Sequence, residues 1–376
     1  MQLTKNLLQQ ATEISKHLKE PEWLLEYRLK NLEMLNVLQP EKSIYTDMKK
    51  LDELMQNAAG KNGKAKIEIK GNTSFSKISD AAVQEKVKSC LDREIPRSRA
   101  EVFTNAFFTE GFFAEVEGST GVKIEGFGNA IIKGIFSAIG EKAEISETIL
   151  GSPESIFYNN NVVVGENSTA TFNSMQNIDE NSLFMQSRNN YLSRYSKIHS
   201  GFAWLGGGQT KSYINNFLQG SGAELYEKHV LFATEKQQFD IKQLVFHQCP
   251  STNGRTAYKA ALDGASSAVF DGMIKIAKDA ENTDSFLEAH SMILKKGCKS
   301  NNIPGLEIEN NNVKATHSAT VTQIDDEHLF YITSRGISKE NAKKMIVLGF
   351  LECIANEMKG NASKEFIAEI EKKYKT

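Results

Sequence analysis

Beyond about Arg99 the chain breaks into short runs of β-forming residues separated at close intervals by Gly, Asn and Asp. Ala114-Glu115-Val116, Val122-Lys123-Ile124, Ile156-Phe157-Tyr158 and Val162-Val163-Val164 are examples. Runs this short and this numerous point to a mainly β core, and an internal echo chooses its architecture. Gly140-Glu141-Lys142-Ala143-Glu144-Ile145 recurs as Gly165-Glu166-Asn167-Ser168-Thr169-Ala170, and Gly222-Ala223-Glu224-Leu225 resembles both. The first two stand 25 residues apart. That length suits one coil of a solenoid, whose rungs stack because none buries its apolar face alone. The expectation is a parallel β-solenoid, with a sandwich as the competing architecture.

Helices flank this core. From Leu3 to about Met55 the pattern is helical. Pro21 in Glu20-Pro21-Glu22-Trp23 stands where a helix begins, and Leu25, Leu29 and Leu32 line one face until Pro40 closes the segment. Asn57 to Lys64 reads as a loop, Lys66 to Lys70 as a strand and Ala82 to Leu91 as a helix. The last 55 residues are helical again. Asp325 or Asp326 caps a short helix bearing Leu329, Phe330 and Tyr331. Ser338 caps a longer one with Ala342, Met345, Ile346, Gly349, Phe350, Cys353 and Ile354 on one face. Gly360 ends it, and Ser363 starts a last helix with Phe366, Ile367 and Ile370 inward. A terminal helical cap covers the open end of a solenoid stack and offers a docking surface. The division expected is a helical domain over 1–98, the β core over 99–320 and a helical domain over 321–376.

Composition excludes several function classes. Lys+Arg 45 against Asp+Glu 47, 40% apolar and 24% charged residues describe a soluble globular protein with no basic field for nucleic acid. The Lys-rich end Glu371-Lys372-Lys373-Tyr374-Lys375 reads as a solvated helix face. No apolar run reaches the roughly 20 residues of a membrane span. Met1 to Lys5 lacks the plan of a secretory leader, so a cytoplasmic protein is expected. Cys90, Cys249, Cys298 and Cys353 form no CxxC pair and signal neither a disulfide framework nor a zinc knuckle. GxGxxG after a strand, GxxxxGK[ST], HExxH and GxSxG are all absent, and Gly206-Gly207-Gly208 reads as a tight corner rather than a phosphate cradle. Solenoid enzymes would show clustered acids or bases on a strand face, or strict hexapeptide repeats, and neither pattern is present.

Two residues carry chemistry. Cys298 is flanked by Lys295, Lys296 and Lys299, whose charge favours the thiolate and so suits sulfur acceptance and iron ligation. His317 follows 19 residues later. A coil of that length would set the pair on neighbouring rungs about 5 Å apart, and iron accepts thiolate and imidazole together. The competing reading makes Cys298 a small buried hydrophobe and His317 a satisfied core side chain.

Glu20-Pro21-Glu22-Trp23-Leu24-Leu25-Glu26-Tyr27-Arg28 begins a helix, and Asn105-Ala106-Phe107-Phe108-Thr109-Glu110-Gly111 leads into the β core. His247-Gln248-Cys249-Pro250, Tyr258-Lys259-Ala260-Ala261-Leu262-Asp263-Gly264 and Val269-Phe270-Asp271-Gly272 follow within it. Toward the end come Pro304-Gly305-Leu306, His317-Ser318-Ala319-Thr320-Val321, the stretch Asp325 to Tyr331, Ser334-Arg335-Gly336-Ile337 and Gly349-Phe350. In this order, over most of the chain, these segments resemble the SufB/SufD family of the SUF iron-sulfur cluster assembly system. The first is similar to the EPEW helix of SufB.

The resemblance implies a right-handed parallel β-helix between helical N- and C-terminal domains. It implies a non-enzymatic scaffold that carries a transient iron-sulfur cluster and docks a SufC-like ATPase, which binds the ATP, through its C-terminal helices. It further implies pairing with a second SufB/SufD-type subunit or with itself as a homodimer, and contact with sulfur donor proteins. ATP-driven dimerisation of the ATPase would strain that pair and open the assembly site. Cys298 falls where SufB has its cluster-assembly cysteine and SufD typically has none, and His317 matches a histidine of both. Ser318 departs from both, since SufB commonly has glutamate there and SufD glycine. The docking residues expected are Phe330, Tyr331, Arg335 and Phe350, of types that dominate binding hot spots. Their bland alternatives are cap core for the aromatics and a carbonyl bond at a helix end for Arg335. A SufD-type partner that docks the ATPase without ligating a cluster is the alternative within the family, and a β-solenoid enzyme the alternative outside it.

Overall fold

A computed structural model describes residues 5–39, 53, 55, 57–59, 63–360 and 362–374. Helices α1 (Lys5–Leu18) and α2 (Glu22–Met34) come first, and Pro21 stands at the N-cap of α2, where proline's fixed φ suits helix entry. Pro40 lies outside the described residues. Within the loop expected from Asn57 to Lys64, residues 57–59 are helical, and β1 (Lys64–Lys77) is longer than the strand expected there. A single turn of 3₁₀ helix (Ala81–Val83), α3 (Gln84–Leu91) and α4 (Arg99–Phe107) follow. Ser98 caps α4 by accepting from the Glu101 amide at 3.0 Å. The first residues of the span read as β core are therefore helical.

The solenoid runs from β2 (Glu110–Phe127) through β3 (Asn129–Ala138), β4 (Ala143–Gly151), β5 (Ser155–Val164), β6 (Thr169–Gln176), β7 (Leu183–Leu192), β8 (Lys197–Trp204) and β9 (Gln209–Leu218). It continues through β10 (Glu224–Ala233), β11 (Gln238–His247), β12 (Asn253–Leu262), β13 (Ser267–Ile276), β14 (Thr283–Ile293), β15 (Lys299–Ile308) and β16 (Val313–Gln323). Odd strands from β3 stack in parallel as one wall and even strands from β4 as the other. β2 serves both, with Glu110–Val116 against β3 and Ser119–Gly126 against β4. The mainly β, parallel solenoid of about seven turns with helices at both ends is the fold class expected. Its coils are longer than the echo suggests: Asn129 faces Ser155, 26 positions on, and Ser267 faces Lys299, 32 positions on.

Local chemistry explains the corners and one misread strand. The echoed glycine segments are the corners before β4, β6 and β10. Gly207 turns the corner after β8 at φ +85°, and a Cβ on Gly206 or Gly208 would stand 2.3 Å from backbone of the preceding coil. The runs Ile156–Tyr158 and Val162–Val164 form one strand, β5. Asn159, Asn160 and Asn161 between them are buried and bonded instead of turning: Asn159 Nδ2 donates to Asn105 Oδ1 at 2.6 Å, and Asn160 Nδ2 to the Tyr158 hydroxyl at 3.3 Å.

Three apolar cores result. The lumen between the walls holds Ile145, Phe172, Ile198, Leu231 and Phe270 among others. On the outer face of the odd wall, Phe103 and Phe107 of α4 pack with Phe157, Tyr191 and Phe217. After the short helix α5 (Asp326–Thr333), α6 (Lys339–Ala355) and α7 (Ala362–Lys373) lie on the outer face of the even wall, where Val347, Leu351, Ile354, Phe366 and Ile370 cover Val230, Phe232 and Ala261. The expected caps hold: Asp325 Oδ1 accepts from the Glu327 amide at 2.8 Å, and Ser338 Oγ from the Asn341 amide at 3.3 Å.

Two helical expectations are corrected. The C-terminal helices do not cap the end of the stack; α6 lies along β10 and β12, where outward apolar residues need cover. The buried stripe of α6 is Ala342, Val347, Leu351, Ile354 and Ala355, while Met345, at 54% exposure, Gly349 and Cys353 face outward. This helix is apolar on more than one side, and contact with the wall selects one. β1 closes the first coil by antiparallel pairing with β2. At the other end, among the described residues, no strand lies beyond β15 and β16, and Ile303, Leu306, Ile308 and Val321 are 38% to 46% exposed. No helix among the described residues is long and apolar enough to cross a membrane.

Candidate cluster site

Cys298 ends the corner between β14 and β15. Its side chain is buried in the lumenal core, with Sγ donating to the carbonyls of Leu262 at 3.3 Å and Gly264 at 3.6 Å on the preceding coil. Lys295, Lys296 and Lys299 are exposed around it, and Lys295 pairs with Asp263 at 3.0 Å. His317 lies on the opposite wall, in β16, in register with Leu287 and on the same side of the strand as Ala315, which packs against the lumenal core. It is exposed because no further coil covers it.

The interval of 19 residues is therefore less than one coil, and the two are not on neighbouring rungs. It sets them instead on the two walls of the same last coil. Asn302 ties those walls together: its Nδ2 donates to the carbonyls of Ala289 at 3.1 Å and Thr320 at 2.9 Å, and its Oδ1 accepts from Ser291 Oγ at 3.1 Å. Ser318 faces Glu288 in the ladder, so a carboxylate stands one rung back from the position where serine replaces it. His290 sits 3.6 Å from Glu288 and 2.7 Å from Thr320 Oγ1. Among the described residues no group of three or more His, Cys, Asp and Glu is already gathered as a ligand shell.

Other residues singled out by type resolve into structure. His247 is buried between Thr252 Oγ1 at 2.8 Å and Ser285 Oγ at 3.0 Å, and burial lowers its pKa to about 3, so it is a neutral structural histidine. Cys249 donates to the Gln219 carbonyl at 3.0 Å, and burial raises its thiol pKa.

The lumen also holds charge that sequence reasoning missed. Glu147 accepts from the Tyr158 hydroxyl and Ser174 Oγ, both at 2.7 Å, and from Arg188 at 3.1 Å. The Arg188 guanidinium lies 3.7 Å from the centre of the Phe172 ring. Two to three coils further along the even wall, Trp204 Nε1 donates to His229 Nδ1 at 3.3 Å, and His229 Nε2 stands 3.0 Å from Glu227. Indole N–H only donates, so Nδ1 accepts and Nε2 carries the proton toward Glu227. The available signal was parity: Glu147 alternates with Ile145 and Ile149 on the inward side of β4.

Of the docking residues, Phe330 and Tyr331 project from α5 at 74% and 57% exposure. The Arg335 guanidinium donates to the Tyr331 hydroxyl and lies 4.4 Å from its ring centre, so its side chain does not cap helix carbonyls. Phe350 is separate from this patch in role: half-buried on α6, it packs against the outer core under Lys259, whose Nζ is 4.8 Å from the ring centre.

Fold and site define a β-solenoid with helices on both flanks and a last coil bearing a buried thiol at its corner and an exposed imidazole on its even wall. Residues 135–350 match the family described as SUF system FeS cluster assembly, SufBD core domain, and the chain belongs to that family. It is 27% identical over 197 residues to an iron-sulfur cluster assembly SufBD family protein of Staphylococcus epidermidis, covering 52% of this chain and 42% of the relative. A Staphylococcus saprophyticus member is 33% identical over 154 residues, covering 41% and 33%. A Staphylococcus aureus member is 32% identical over 154 residues with the same coverage, 41% and 33%. The chain spans less than half the length of these curated relatives.

Proposed function

We propose that this chain is a scaffold for iron-sulfur cluster assembly and transfer, with Cys298 and His317 holding the transient cluster as cargo in the open last coil. The observation that carries the reading is that one last coil bears both a thiol, at the corner before β15, and an imidazole, on β16. Thiolate accepts sulfur and binds iron, imidazole adds a nitrogen ligand, and Glu288, paired with Ser318 in the ladder, is a carboxylate that could stand in for the one Ser318 lacks. Sulfur arrives from donor proteins. Phe330, Tyr331 and Arg335 dock a SufC-like ATPase, which binds the ATP, while Phe350 supports α6 beneath that surface. The free edges of β15 and β16 pair with a second SufB/SufD-type subunit or a second copy of this chain.

Cys298 is buried and bonded to two carbonyls, so loading requires the last coil to loosen. The helices that meet the ATPase follow β16 directly and are placed to pull on it. Burial of the thiol, together with Ser318, also favours a second reading, a SufD-type partner that docks the ATPase without ligating a cluster. Anaerobic reconstitution with iron and sulfide, with and without the ATPase, separates them by visible absorbance. The scaffold reading expects a cluster in the wild type and loss of most of it in Cys298→Ala. ATPase binding with no cluster in the wild type would leave the partner reading.

A further inference from the structure

Three lysines without an ion-pair partner among the described residues line one cavity beside the corner that carries Cys298. Lys296 on that corner and Lys339 and Lys343 at the start of α6 rim a cavity of about 170 Å³, with Lys295, Asp326 and Leu329 also lining it. Lys295 is held by Asp263 at 3.0 Å. Among the described residues Lys296, Lys339 and Lys343 have no ion-pair partner, and Asp326 is the one carboxylate on the rim. Lys339 and Lys343 are like charges four residues apart near the positive end of the α6 dipole, where the one acid in the first turn is Glu340. An anion in the cavity would relieve the repulsion that Glu340 and Asp326 leave among the three lysines.

We propose that this cavity binds an oxyanion of the phosphate class, its charge shared by Lys296, Lys339 and Lys343. The volume lies below the roughly 300–1,000 Å³ of pockets for drug-sized ligands, so it suits a single phosphate group rather than a whole nucleotide. The bound anion ties the Cys298 corner to the first turns of α6, joining the proposed cargo site to the helices beside the docking patch. The inference goes beyond the scaffold reading and does not depend on it.

The test is titration of inorganic phosphate into the full chain at low ionic strength, read by ³¹P line width. Saturable binding is expected, weakened by at least about tenfold in Lys296→Gln/Lys339→Gln/Lys343→Gln, and unchanged in Lys364→Gln on the exposed side of α7. Should the triple variant lose its circular dichroism spectrum, Lys343→Gln alone carries the test, with a loss of about threefold expected. Displacement of phosphate by AMP would assign the source to a phosphate ester, and no displacement to the free ion. Absence of saturable binding, or equal affinity in wild type and lysine variants, overturns the proposal. Neither iron nor ATPase enters the assay, so that failure would leave the scaffold reading untouched.

Discussion

Arg188 and Glu147 lie wholly inside the solenoid, where the partner of a charge decides its cost. Burial lowers the pKa of Arg188, and Glu147 opposes that shift by favouring the charged form. Removing one partner strands the other: Arg188→Met is expected to destabilise the protein by about 3–5 kcal/mol, because Glu147 is left buried without its cationic partner. Glu147→Gln/Arg188→Met should recover much of that loss. Urea denaturation of both variants checks this, and a single-variant cost within experimental error of zero would contradict it. Residue identity carried some of the site but not this pair. Cys298 and His317 stood out by type and neighbourhood, whereas the meeting of Glu147 with Arg188 depends on which strand positions face inward and on pairing across separate coils. The lysines around Cys298 show how a corner separates neighbours in sequence. They are adjacent along the chain, yet at a corner their side chains turn to solvent while the thiol turns to the lumen.

Elements were legible where their signals are local. Proline before α2, Asp325 and Ser338 at the caps of α5 and α6, and the glycine corners each act within a few residues, and the structure uses them as read. Contacts between elements were not. The α6 face that packs is chosen by the even wall, and the central asparagines of β5 stay extended because Asn105 and Tyr158 satisfy them. The same scale governs association. Among the described residues no further strand follows β15 or β16 in the sheet, Ile303 and Val321 on them are exposed, and lysine on an edge discourages strand pairing. Ile303→Lys/Val321→Lys is expected to weaken pairing with a second subunit or copy by tenfold or more, while stability shifts by no more than about 1 kcal/mol because both positions are exposed. Sedimentation velocity over a concentration series reads the first and thermal unfolding the second. Pairing that survives both lysines would move the interface elsewhere.

The molecule as a whole is polarised. β1 seals the first coil, α4 and its neighbours cover the odd wall, α6 and α7 cover the even wall, and among the described residues no strand pairs beyond the last coil. Cys298, Asn302 and His317 gather at that end, and the chain passes from it straight into α5. The central claim is that the two walls act on one cargo, which pulsed EPR on the reduced, reconstituted cluster tests most directly, using protein labelled with ¹⁵N-histidine. A nitrogen coupling in the wild type, absent from His317→Ala, with the cluster itself lost in Cys298→Ala, is the predicted result. A cluster that forms with no histidine coupling and in equal yield without Cys298 would contradict the account.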